Sequence, residues 1–173
     1  MLAKAVGFLV VVVSASLAGV TVGHSYRARA RQLTDLRVGL HLLETEVTFA
    51  ASALPGALDR VARGLAAPVG DIFRGAAGLM RSGEGLAAGE AWETAARAVF
   101  PRTALEAGDL DVVLALAGYL GVTDREDQRR HIALAVERLR AREEAALAEQ
   151  RTSERMWRYL GVLGGLALGV ALL

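Results

Sequence analysis

The sequence predicts an all-α protein: a helical bundle in the cytoplasm, flanked by an N-terminal and a C-terminal transmembrane helix. Three observations predict it. Hydrophobic residues make up 53% of the chain, more than a soluble domain of this size needs, and the excess sits at the two ends. Between the ends, apolar residues recur at the three-and-four spacing of a helix face. No alternating strand pattern longer than a few residues interrupts them, and there is no internal repeat. The 173 residues suffice for one domain with a modest core. Cysteine is absent, which excludes disulfides, thiolate catalysis and cysteine-ligated metals. A net charge of +1 leaves no overall excess with which to bind nucleic acid.

The first segment, residues 1–26, is the N-terminal anchor. Its stretch "AVGFLVVVVSASLAGVTVG" runs from Ala5 to Gly23 without a charge, long enough as a helix to cross a bilayer core. The last segment, residues 157–173, is the C-terminal anchor. "YLGVLGGLALGVALL" reaches only ~22 Å as a helix against a ~30 Å core. Trp157 and Tyr159 extend it, because their rings are at home at the headgroup level. In the two anchors Ala15, Gly19 and Gly23, and Gly161, Gly165 and Gly169, each lie four apart on one face. Small residues at that spacing let two helix backbones approach.

Charges beside the anchors set the topology. Arg27, Arg29 and Arg31 follow the first anchor, and Arg151, Arg155 and Arg158 flank the second. Arginines at that position resist translocation, so both clusters keep the middle of the chain in the cytoplasm. A signal peptide is the competing reading, with Lys4 ahead of the apolar run and Ser16 and Ala18 around a cleavage point. The run continues past that point, and the arginines favour retention.

Residues 27–156 form the helical domain. Leu33, Leu36, Leu40, Leu43, Val47 and Ala50 make one stripe of its first helix. "ALPGAL" ends that helix at Pro55, and a short helix follows through Leu65. Pro68 restarts the chain, "RSGEGLAAGE" is a loop, and a helix carrying Trp92, Ala96, Val99 and Phe100 stops at Pro101. Another helix is expected from about Asp109 to Tyr119, ending at Gly121. The last begins at "VTDRE" with Thr123 and Glu126 at capping-box spacing. Its stripe is Ile132, Val136 and Leu139, and the pattern continues into the second anchor.

Chemistry is sparse. The three histidines are His24, His41 and His131. His41 and Glu44 in "HLLE" lie on neighbouring turns and could contribute to a metal site within a bundle, but such sites need further ligands from facing helices. A membrane-bound metalloenzyme built on this pair is one alternative reading. No nucleophile elbow, phosphate loop or zinc-protease motif occurs, and no cofactor is implied. On the first helix of the domain, at ~100° per residue, Glu44 and Glu46 flank the inner stripe while Leu42, Thr45 and Phe49 point away. Glutamates so placed are most simply bonded to neighbouring helices. Leu42 and Phe49, with Glu46 at their edge, form an apolar contact for a partner unless another helix covers them.

These motifs together resemble the stage III sporulation protein AB family, over nearly the whole chain. The resemblance is carried by "LLETEVTF", "PVGDIF", Trp92, "LAGYLGVTDREDQRRHI" and "MWRYLGVLGGLALG". Leu43, Glu44, Glu46, Val47, Leu120, Gly121, Asp124, Gln128, His131 and Ile132 fall on the family pattern. Phe49 stands where a tyrosine is common, and Pro55 lies slightly late. The resemblance implies a non-enzymatic membrane component of the channel apparatus between mother cell and forespore. The domain would lie on the mother-cell side of the forespore membrane. Its implied partners are other channel subunits and a cytoplasmic ATPase of the same system, with self-association open. Proteins of this kind resemble the platform protein of type II secretion and type IV pilus systems, and such a platform outside sporulation is the second alternative.

Overall fold

The computed structural model describes the backbone except at residues 1, 50–52, 84, 122–123 and 172–173. Side chains are described outside 1–23, 49–52, 84, 122–123, 153–155 and 157–173. Two long helices, α1 (Leu2–Phe49) and α6 (Arg125–Ala171), frame four short ones: α2 (Leu54–Arg63), α3 (Val69–Arg81), α4 (Ala88–Val99) and α5 (Ala107–Leu114). The most extensive packing is between α1 and α6, while α2, α3 and α4 stack on each other in turn.

α1 and α6 run antiparallel, because partners on α6 fall in number as those on α1 rise. Arg29 meets Glu149 at 3.0 Å, Arg37 meets Glu143 at 2.7 Å, and Arg129 meets Glu44 at 3.6 Å. Both helices therefore leave the bundle at the same end. α6 continues as one helix into the segment read as the second anchor.

The predicted stripe of α1 is the spine of the core: Leu33, Leu36, Leu40 and Leu43 are fully buried. Val47 packs partly against the core, and Ala50 lies outside the described residues. Against the spine pack Leu58 of α2, Ile72 and Phe73 of α3, and Trp92 of α4. Phe73 and Trp92 meet edge to face, with centroids 5.3 Å apart and planes at 75°, the arrangement the ring quadrupoles favour. Ile132 and Leu139 close the core from α6, as their spacing predicts.

Turn chemistry departs from the sequence reading at four places. Pro55 does not merely stop α1; it sits in the first turn of α2, where its missing N–H costs no bond and its fixed φ suits a helix start. Pro101 lies in a 3-10 turn, Phe100–Arg102, that follows α4. α5 begins and ends earlier than expected. Beyond Leu114 the chain tightens into turns closed by Leu116 N–H to Val113, Ala117 N–H to Leu114 and Tyr119 N–H to Leu116. Gly121 then reverses direction at φ +75, a region where a side chain is strained. Finally, the cap of α6 is Asp124, whose Oδ1 accepts from the Asp127 N–H at 2.8 Å. Thr123, the expected cap, lies outside the described residues.

The glycine-rich loop is shorter than "RSGEGLAAGE" suggests, for α4 already starts at Ala88. Gly89 is helical and buried, and a Cβ there would run into the Ala117 carbonyl oxygen. Backbone faces backbone at this point, so neither side can yield by rotating a side chain. Gly89→Ala is expected to destabilise the fold by about 1–3 kcal/mol or more. Thermal unfolding of the full chain in detergent, followed by circular dichroism, checks this; an unchanged melting temperature would count against the close contact.

Candidate functional site

The most concentrated chemistry in the domain is a charge clamp where α5 meets α1 and α6. Arg29 lies four and seven residues before Leu33 and Leu36, so its side chain emerges on the buried stripe of α1. Its Nε donates to Asp109 Oδ2 at 2.9 Å and its Nη2 donates to Oδ1 at 3.3 Å. Its Nη1 reaches Glu149 at 3.0 Å and Glu106 at 2.8 Å. Arg142 adds a third donor to Asp109, at 3.2 Å. Asp109 itself stands in the first turn of α5, where it accepts from the Glu106 N–H at 2.9 Å and faces the positive end of the helix dipole. Its side chain has no solvent exposure.

Burial pushes the Asp109 carboxyl up, but the bonds from Arg29 and the Glu106 amide, with the charges of Arg29 and Arg142, outweigh it. The carboxyl therefore stays below its ordinary range and ionised. Asp109 in turn raises Arg29 above its usual value, chiefly through the hydrogen bond. The result ties three helices together at the end of the bundle facing the N- and C-terminal segments. Sequence reasoning assigned Arg29 to the membrane boundary together with Arg27 and Arg31. In the structure Arg29 is buried and also holds the clamp, whereas Arg27 and Arg31 are exposed. The signal was available in its register with Leu33 and Leu36, and in the three-residue spacing of Glu106 and Asp109.

The outer face of α1 is the second feature. Leu42 is exposed, as expected, and Val38, one turn away and not singled out from the sequence, is exposed with it. The flanking glutamates are bonded within the domain. Glu46 accepts from Arg60 at 3.0 and 2.5 Å, and that bond, ahead of desolvation, sets its carboxyl below the usual range. Glu44 faces Arg129 and lies 3.4 Å from His41 Nδ1. The Phe49 side chain lies outside the described residues, as do Ala15, Gly19, Gly23, Gly161, Gly165, Gly169, Arg155 and Arg158. Arg151 is exposed.

His41 projects into solvent, and no group of three or more potential metal ligands occurs among the described residues. Nothing here supports the metalloenzyme alternative. His131 instead stacks on Tyr119, ring centroids 3.3 Å apart. Among the described residues no helix is long and apolar enough to cross a membrane; both proposed anchors, Ala5–Gly23 and 159–173, fall where side chains are not described.

Fold and site define a helical scaffold, with buried charge used to lock helices and an apolar face turned outward. The chain belongs to the stage III sporulation protein AB family, whose model matches residues 4–173. It is 32% identical over 165 residues to stage III sporulation protein AB of Bacillus subtilis (strain 168), covering 95% of this chain and 96% of that protein. A solved structure titled stage III sporulation protein AB superposes with a TM-score of 0.68 at 31% identity, covering 72% of this chain and 98% of that one. The family is a non-enzymatic family of sporulation proteins. Several residues that carry the resemblance do structural work here. Leu43, Leu120 and Ile132 are core, Gly121 makes the reversal, and Asp124 caps α6.

Proposed function

We propose that the chain is a two-span membrane platform in the channel apparatus between mother cell and forespore, with its helical domain in the mother-cell cytoplasm. One observation carries this beyond family membership. α1 and α6 pair antiparallel, leave the bundle together, and lead into the uncharged stretches at either terminus. A domain held in this way presents its far end and flanks to the cytoplasm. The docking surface of this reading is the outer face of α1 around Leu42, with Glu46 at its edge and Phe49 beyond it. It would receive a cytoplasmic ATPase of the same system or a neighbouring membrane subunit. A secretion or pilus platform outside sporulation is not favoured by any observation, since the matching family is a sporulation family.

Topology provides the test. The chain has no cysteine, and Ser82 is exposed just beyond α3. In wall-stripped cells, Ser82→Cys is expected to resist a membrane-impermeant thiol reagent and to react once the membrane is permeabilised. Ready labelling of intact cells would overturn the cytoplasmic placement. Affinity capture from sporulating cells is expected to recover the ATPase with the anchored chain.

A further inference from the structure

Two surfaces of the domain, on different helices, complement each other. The first is a ridge on α1: Val38 and Leu42, 40% and 41% exposed, with Asp35 one turn nearer the N-terminal anchor. The second is a groove of about 160 Å³ between α6 and the α5 segment. It is lined by Val112, Leu116, Tyr119, His131, Leu134 and Arg138, and Leu134 at its rim is 46% exposed. Asp35 and Arg138 make no ion pair among the described residues. Each surface thus couples exposed aliphatic side chains with a charge of its own, Asp35 on the ridge and Arg138 on the groove, which are of opposite sign; exposed Arg31 lies one turn before Asp35, and exposed Glu137 adjoins Arg138.

The two surfaces also correspond in position and polarity. The ion pairs Arg37–Glu143 and Arg129–Glu44 bracket Leu42 on α1 and Leu134 on α6, so both lie in the same section of the α1–α6 pair. On α1 the numbering rises away from the anchors, and on α6 it rises toward them. Asp35 is therefore on the anchor side of Val38 and Leu42, and Arg138 is on the anchor side of Leu134. Two copies standing side by side in one membrane would bring Leu42 to the groove and Asp35 within a few ångströms of the level of Arg138, a gap the long arginine side chain can span.

We propose that the ridge of one copy docks into the groove of the next, making the neighbouring subunit at the Leu42 face a second copy of this chain. This rests on the platform reading, because shared anchoring is what holds the copies at one height. Ridge and groove are different surfaces, so the contact is heterologous. Each copy retains a free ridge or groove, and the series closes into a ring or extends as a row. A few aliphatic side chains and one ion pair fall far short of the ~1,000 Å² of a freestanding interface. Confinement in the bilayer raises the effective concentration and supplies the rest.

The test uses the full chain in native membranes. Leu42→Cys combined with Leu134→Cys is expected to give, on oxidation, a ladder of dimers, trimers and larger species. Either substitution alone should give no ladder. In that background Asp35→Arg or Arg138→Asp is expected to cut the crosslink yield by about tenfold or more, since like charges then face each other. Both reversals together should restore it. Unchanged circular dichroism of each variant separates lost contact from lost fold. Absence of the ladder, or failure of the double reversal to rescue, overturns the proposal. If Leu42→Cys crosslinks to a different sporulation protein instead, self-association falls while the platform reading stands. Labelling of Ser82→Cys from outside would strike the platform reading separately.

Discussion

Asp109→Ala is expected to lower the unfolding free energy by about 3–5 kcal/mol, the cost of leaving a buried charge without its partner. Arg29 would lose both bonds to Asp109 and retain only its contacts with Glu106 and Glu149, whose side chains are largely exposed. The Glu106 amide at the start of α5 would lose its acceptor as well. Replacing both members, Arg29→Met with Asp109→Leu, should recover much of the loss, because an apolar pair pays no desolvation penalty. Urea unfolding in detergent of the parent, Arg29→Met, Asp109→Leu and the double variant gives the coupling energy directly. A single-site cost below about 1 kcal/mol would mean that the clamp contributes no more than a surface pair.

The same clamp predicts a pH dependence. The folded Asp109 carboxyl lies below its ordinary value, so the folded state binds its proton less readily than the unfolded chain does. Its stabilisation is fully present above the unfolded value of about 3.9 and is lost as pH falls through the folded value below that. Between pH 5 and 8 this group contributes a constant amount. Asp109→Ala should therefore flatten the acid limb of stability against pH while leaving the neutral range parallel to the parent. Glu46 and Glu126 also lie low beside arginines, but in exposed settings that add little.

Trp92→Ala is the second large effect, at about 3–5 kcal/mol. The indole is fully buried, meets Phe73 edge to face and donates from Nε1 to the Val113 carbonyl at 2.7 Å. It thereby joins α3, α4 and α5 through one side chain. For a chain of this size the loss corresponds to a fall in melting temperature on the order of 10 °C. Trp92→Phe should cost roughly half as much. It refills part of the cavity, and the Val113 carbonyl still accepts from the Leu116 N–H. Equal effects of the two substitutions would place the weight on the hydrogen bond rather than on packing.

Several features were legible because they depend on local order alone. The α1 stripe and the α6 stripe follow from periodicity, and each of their central leucines and isoleucines is buried as its spacing requires. The reading of Glu44 and Glu46 as bonded to neighbouring helices also holds, since a carboxylate flanking a buried stripe has little choice but a nearby donor. Boundaries were less legible. Pro55 and Pro101 each act at the beginning of a helical turn as readily as after one, and a residue name does not reveal which. Gly89 sat in a run of glycines that read as loop, yet its role is to admit the Ala117 carbonyl.

By itself, then, the sequence determined an all-helical chain, its family and the inward face of each long helix, because heptad-scale periodicity is a local property. Only the tertiary structure decided what Arg29 does. Its register allowed burial, but an arginine is buried only where an acidic partner awaits it, and Asp109 lies 80 residues away. The same holds for the ridge and the groove. Exposure of Val38 and Leu42, and the shared section of Leu42 and Leu134, exist only once α1 and α6 have been laid antiparallel, which no stretch of either helix encodes alone.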